Sequence, residues 1–224
     1  MAVIVLPEPI VDSKCKTLDW HSPHRCRIYW LDNLKILRKA VRGNIVVEIG
    51  CGVFGGLAEL IIDLGCRYYV GVDFSIGNPN KKEYKVLRGE YVFSEKIPCE
   101  ISIPDKVKNN SRASYIFGVD FYTFFRQLKD ESVVTVSTGF FHDALLIPQG
   151  GGKGYIEKAL SEIARASIKS PFAGLHQFMF DANDRSRECR SGTFFRETFE
   201  KFGIRTTPVS AKYCHEEFYT LSKQ

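Results

Sequence analysis

Apolar residues along this chain switch between short continuous runs and a period near 3.6, and each switch marks a new element. Ile45–Ile49 is a β-branched run that predicts a buried strand. It enters a glycine-rich turn, and residues 57–64 then read as a helix stopped by Gly65. Residues 68–72 form a second strand closed by Asp73. Strand, turn, helix and strand within about 30 residues is the pattern of a parallel βαβ unit. Upstream, Ile28, Leu31, Leu34, Ile36, Leu37 and Val41 fall at roughly helical spacing, with Gly43 as the stop.

The alternation continues downstream. Strands are predicted at 115–119, 133–137 and 175–180, and helices at 121–128, 155–168 and 193–202, the last ending at Gly203. Two final strands, 204–211 and 217–222, are joined by too few residues for a parallel crossover and should pair antiparallel. Residues 76–114 exceed what a plain crossover needs. They carry Lys81, Lys82 and Lys85 and then Pro98 and Pro104, and read as part helix, part inserted loop or hairpin. The expected organisation is an N-terminal extension and helix over 1–43 and one α/β domain over 44–224, with an insertion at about 76–114.

Composition narrows the class without redirecting it. A hydrophobic share of 44% and a charged share of 25% over 224 residues suit one soluble globular domain. No apolar run nears the roughly 20 residues that span a bilayer. The opening MAVIVLPEP is broken by Pro7 and lacks a basic flank, so it does not read as a secretory signal, and a cytoplasmic location is expected. Seven cysteines without a C-x-x-C pair fit reduced thiols. Cys15, His21, His24 and Cys26 match no standard zinc spacing, so no metal is expected. A formal charge of +5 permits an anionic or RNA partner without demanding one. The run GGGKG at 150–154 lacks the Ser/Thr that a phosphate-binding P-loop requires.

Residues 46–56, VVEIGCGVFGG, carry the chemistry. Gly50 and Gly52 let the chain turn sharply off its strand, and Gly55 and Gly56 let the next helix pack close to the sheet. Such a turn alone is shared by all dinucleotide binders. Glu48 sharpens it, because an acid beside the turn opposes a pyrophosphate but suits an ammonium or sulfonium. Asp73 ends the next strand, where an acid accepts hydrogen bonds from ribose hydroxyls.

VVEIGCGVFGG resembles motif I of the class I S-adenosylmethionine-dependent methyltransferases, and VGVDFS (70–75) resembles the acidic end of their second strand. Gly118-Val119-Asp120, SVVTVSTGFF (132–141), the segment 153–180 containing EIAR, and the closing strand EEFYTLSK are similar to later elements of that family. The resemblance spans about 180 residues, from Asn44 onward. It implies a Rossmann-like three-layer α/β sandwich: a mostly parallel seven-stranded sheet with an antiparallel terminal strand and helices on both faces. It implies S-adenosyl-L-methionine as cofactor, with Glu48, Gly50, Gly52 and Gly55 at the methionine portion and Asp73, beside Phe74, at the ribose. Asp120 and Phe121 would meet the adenine, and Ser137, Thr138 and Gly139 would lie near the transferred methyl. Two departures stand out. STGF lacks the Asn/Asp-Pro-Pro-aromatic signature of amino methyltransferases acting on adenine or glutamine, and SPFAG (170–174) lacks the usual Pro-Gly-Gly turn.

Methyl transfer from a sulfonium needs alignment and a dry site, and a base only where the acceptor must lose a proton. His142 and Asp143 follow the fourth strand and are the candidate catalytic pair, against a simple loop pair. Trp20, Tyr29 and Trp30 are candidates to roof the pocket or simply to pack. Arg185, Arg187 and Arg190 are candidates to hold an anionic acceptor, against a solvated loop. The acceptor itself is unidentified; a small molecule leads, with RNA or protein as the second reading. A non-catalytic binding module or an NAD(P)-dependent oxidoreductase are the readings from other classes.

Overall fold

The computed structural model describes residues 30, 33–51, 57–73, 83–87, 90–94, 107, 109–117, 121–138, 153–178, 192–209 and 217–224. Hydrophobic runs become strands and periodic segments become helices in the expected alternation. These are α1 (Leu34–Val41), β1 (Ile45–Ile49), α2 (Ala58–Asp63), β2 (Tyr68–Asp73), β3 (Glu83–Leu87), β4 (Glu90–Ser94) and β5 (Ala113–Phe117). They are followed by α3 (Phe121–Arg126), β6 (Val134–Thr138), α4 (Lys153–Ala166), β7 (Ser170–Phe178), α5 (Gly192–Lys201), β8 (Ile204–Val209) and β9 (Glu217–Lys223).

Seven strands form one sheet in the order β5-β2-β1-β6-β7-β9-β8. β1 pairs parallel with β2 and β6, β2 with β5, and β6 with β7, whereas β9 runs antiparallel to both its neighbours. The direction of winding reverses between β1 and β6. In open α/β sheets that reversal opens a crevice beyond the carboxyl ends of the strands.

Alternate residues of the central strands serve opposite faces. Val47, Ile49 and Val72 pack with Phe121, Phe125, Leu160, Ile163 and Phe199 beneath α3, α4 and α5. Val46, Tyr69, Val134, Val136 and Leu175 pack with Leu37, Val41, Ala58 and Ile61 beneath α1 and α2. Burial on both sides explains why β1 reads as a continuous apolar run rather than an alternating one. Glu48 is the exception, and it is buried too.

Several boundaries differ from the sequence expectation. The first half of the long crossover contains the antiparallel pair β3–β4, so the hairpin reading of residues 76–114 holds for 83–94. The largest change is in β7, which starts at Ser170 rather than at residue 175 and absorbs the SPFAG segment expected to be a loop. A register irregularity between Ser170 and Gly174 accommodates Pro171 in the strand without a ladder donor. Trp30 is fully buried and meets Phe218 edge-on at 5.2 Å, so it packs under the N-terminal layer and does not roof a pocket.

Arg165, from the EIAR segment, fastens the end of α4 to the turn before β6. Its guanidinium donates to the carbonyls of Phe125 (2.8 Å) and Leu128 (3.0 Å) and pairs with Asp130 and Glu162. The planar fork suits this multiple capture of carbonyls and carboxylates. Among the described residues no helix is long and apolar enough to cross a membrane.

Candidate active site

The glycine turn begins where β1 ends. Gly50 has φ +74°, and its N–H donates to the Val72 carbonyl at 2.8 Å, folding the chain back against β2. A side chain in this left-handed conformation is strained by roughly 1–2 kcal/mol. Gly50→Ala is therefore expected to lower unfolding free energy by that amount in urea titrations, and an unchanged midpoint would contradict the assignment.

Glu48, two residues earlier, is 1% exposed. Both of its hydrogen bonds converge on Oε2: the Leu57 N–H donates at 2.8 Å and the Tyr69 hydroxyl at 2.6 Å. Among the described residues Oε1 has no hydrogen-bond partner. The carboxylate thus ties the residue that follows the glycine turn to the neighbouring strand. Burial pushes its pKa up to about 7, opposed by the bonds from Tyr69 and Leu57 and reinforced by the charge of Asp73.

Tyr69 reaches Glu48 only because Gly71, paired with Glu48 across the strands, has no side chain. A Cβ at Gly71 would stand 2.8 Å from the Tyr115 ring and 2.9 Å from both the Cys51 sulfur and the Tyr69 hydroxyl. The Cys51 thiol is buried against this cluster and held protonated, by burial first and by the charges of Asp73 and Glu48 next. Asp73 closes β2 and is 7% exposed. Two acids therefore stand at the carboxyl ends of adjacent strands, on either side of a glycine hinge.

On the other face, Ser137 is fully buried near the end of β6. Its hydroxyl lies 2.9 Å from Nδ1 of His176 on β7, whose Nε2 is 2.9 Å from the Thr135 hydroxyl. The imidazole also meets Phe199 edge-on at 5.8 Å. Burial pushes the His176 pKa down to about 3, partly countered by the Thr135 backbone, so the ring is neutral at physiological pH. A group held below its ordinary value of 6.5 stabilises the fold fully above that pH, and the contribution is lost as pH falls toward 3. His176→Gln is expected to flatten this acid limb by about one proton, roughly 1.4 kcal/mol per pH unit. An acid limb of unchanged slope in urea titrations across that range would contradict it.

Glu48, Gly50, Asp73, Ser137 and Thr138, expected together from the sequence, all stand at the carboxyl ends of β1, β2 and β6. Phe121 opens α3, and its ring is packed in the core with Val47, Ile49 and Val72. Gly52, Gly55, Phe74, Asp120, His142 and Asp143 lie outside the described residues, as do Trp20, Tyr29 and the arginines at 185, 187 and 190. Tyr69, Gly71 and His176 were not anticipated. A tyrosine two residues before a glycine on the second strand was the available signal for the first two. Nothing local marked the histidine.

No family model matches the chain, and no curated protein matches it. Solved structures do. An S-adenosylmethionine-dependent methyltransferase from Aquifex aeolicus aligns with TM-score 0.53 and 19% identity over 95% of this chain and 97% of that one. Magnesium protoporphyrin IX methyltransferase from Synechocystis PCC 6803, crystallised with bound S-adenosylmethionine, aligns with TM-score 0.52 and 13% identity over 97% and 86%. A Listeria monocytogenes protein assigned to the S-adenosylmethionine-dependent methyltransferases aligns with TM-score 0.55 and 12% identity over 89% and 98%. At these identities the likeness is one of fold. The chain has the class I S-adenosylmethionine methyltransferase fold, with the reversed strand β9 inserted between β7 and β8.

Proposed function

We propose that this protein is an S-adenosylmethionine-dependent methyltransferase acting on a small-molecule acceptor. One observation carries the reading: Glu48 and Asp73 flank the Gly50 hinge, and among the described residues no lysine or arginine pairs with Glu48. A pyrophosphate at this turn would meet an acid, whereas a cationic amino-acid cofactor would gain from it. The fold supports the same choice, since the neighbours above are methyltransferases and one of them was crystallised with this cofactor.

The residues fit that group. Among the described residues Glu48 retains a carboxylate oxygen without a partner, suited to an ammonium, and Asp73 stands at the strand end where ribose hydroxyls would donate. When bound, the cofactor supplies an electrophilic methyl on a positively charged sulfur. The chain's own task is to hold the acceptor in line with that methyl and to exclude water. His142 and Asp143, beyond the end of β6, are the proposed groups to take a proton from an acceptor that must lose one. The formal charge of +5 is small for a nucleic-acid binder of this length, which favours a small acceptor over RNA.

Calorimetry with S-adenosylmethionine, S-adenosylhomocysteine, NADH and NADPH tests the proposal. Binding of the first two and not of the nicotinamides is expected; the reverse selectivity would overturn it. A His142→Ala variant with unchanged cofactor affinity and reduced turnover would support the base, while full turnover at every pH would remove His142 from the mechanism.

A further inference from the structure

Glu48 is an unusual carboxyl to leave in a folded protein. It sits on a strand buried on both faces, and its two donors crowd onto one oxygen while the other has no partner among the described residues. Among the described residues, every titratable group that faces it is neutral or acidic. Tyr69 comes from β2, Tyr115 from β5, Cys51 from the turn after β1, and Asp73 from the end of β2. Both tyrosines and the cysteine are pushed upward by burial and stay protonated, so they offer no positive charge. A hydrogen-bonded buried carboxylate without a cation is poorly compensated, and such groups take up a proton instead.

We propose that Glu48 exchanges its proton for the positive charge of the cofactor, so that ligand binding at the Gly50 hinge and deprotonation of this carboxyl are one coupled event. The inference rests on the functional reading above and specifies how that site is regulated. Below about pH 7, Oε1 of the free protein carries a proton while Oε2 keeps its bonds from Leu57 and Tyr69, so the hinge stays tied in either protonation state. On binding, the O–H bond at Oε1 breaks, its proton leaves to solvent, and an ammonium N–H donates in its place. Affinity then depends on pH through the free carboxyl, whose value is held up to about 7 by burial, with the charge of Asp73 adding to it. Below that value each unit of pH is expected to weaken binding by up to about tenfold, and above it affinity should level off.

The free fold should show the same proton from the other side. A carboxyl raised from 4.5 to about 7 in the folded state lends stability at low pH that is lost as pH rises through 7. Glu48→Gln keeps an acceptor for Leu57 and Tyr69 but cannot ionise. Its melting temperature relative to wild type is therefore expected to rise between pH 4.5 and 8.

The deciding experiment is titration calorimetry of wild type and Glu48→Gln with S-adenosylmethionine and S-adenosylhomocysteine at pH 6 and pH 8.5, in two buffers of different ionisation enthalpy. Wild type is expected to release about 0.9 proton more than Glu48→Gln at pH 6 and almost none more at pH 8.5. Titration of the ligand's own amine occurs with both proteins and cancels in the comparison. Glu48→Gln should also bind at least about tenfold more weakly at pH 8.5. Equal proton release by the two proteins, or equal affinity, would overturn the coupling while leaving the cofactor assignment intact. Failure of wild type to bind either ligand at any pH would overturn the cofactor assignment and the coupling together.

Discussion

Asp73→Ala is expected to lose S-adenosylmethionine binding by at least about a hundredfold while remaining folded. Two hydroxyl donors on an ionised acceptor are worth roughly 1.5–3 kcal/mol each, and 1.4 kcal/mol is a factor of ten. The loss of stability should be smaller than the loss of binding, because Asp73 opposes ionisation of Glu48 and its removal eases that repulsion as Glu48 deprotonates. Calorimetry supplies the affinity and thermal unfolding supplies the control. A variant that binds as wild type would show that the end of β2 is not the ribose subsite. Asp73→Asn separates charge from hydrogen bonding: it should bind more weakly than wild type and more tightly than alanine.

Gly174→Ala is expected to destabilise the fold by about 3 kcal/mol or more. Gly174 pairs with Thr135 between β7 and β6, and a Cβ there would stand 2.6 Å from the Thr135 carbonyl oxygen and 2.9 Å from its hydroxyl. Leu221 closes the remaining side at 3.0 Å. The first contact is backbone in the adjacent strand, so relief requires the sheet to spread. The displaced hydroxyl is also the one beside His176. Gly154→Ala is the matched control, since nothing lies within 4 Å of a Cβ there and α4 covers that position. It should stabilise by roughly 0.5–1 kcal/mol. Equal urea midpoints for the two variants would contradict the close approach of β6 and β7.

How much of this was legible in the sequence depends on the range of each interaction. The βαβ start was legible because strand, hinge and helix are written contiguously, and Gly50 does adopt the left-handed backbone that its position ahead of the helix implies. Glu48 was legible as a misplaced acid. Its partners were not, because Tyr69 and Leu57 reach it through the register of β1 with β2 and through the return of α2. The SPFAG segment was misread for a physical reason. Proline and glycine usually mark turns, yet here the proline sits at a strand irregularity and the glycine at a point of strand contact. His176 was invisible, since its two hydroxyl partners stand 41 and 39 residues away and only the pairing of β6 with β7 brings them together.

The two buried titratable groups also divide the pH axis. His176 favours the fold above 6.5 and Glu48 favours it below 7, so their contributions oppose one another through mildly acidic conditions. Below 4.5 the loss falls to His176 alone among this pair. One group steadies the sheet beneath β6, and the other lies beside the Gly50 hinge.

A crystal structure of the protein with S-adenosylhomocysteine is the most direct measurement. The expected density has the amino-acid end over Gly50 beside Glu48 and the ribose on Asp73. Density for the ligand elsewhere, or a nicotinamide dinucleotide across the same hinge with its diphosphate over Gly50, would contradict the account.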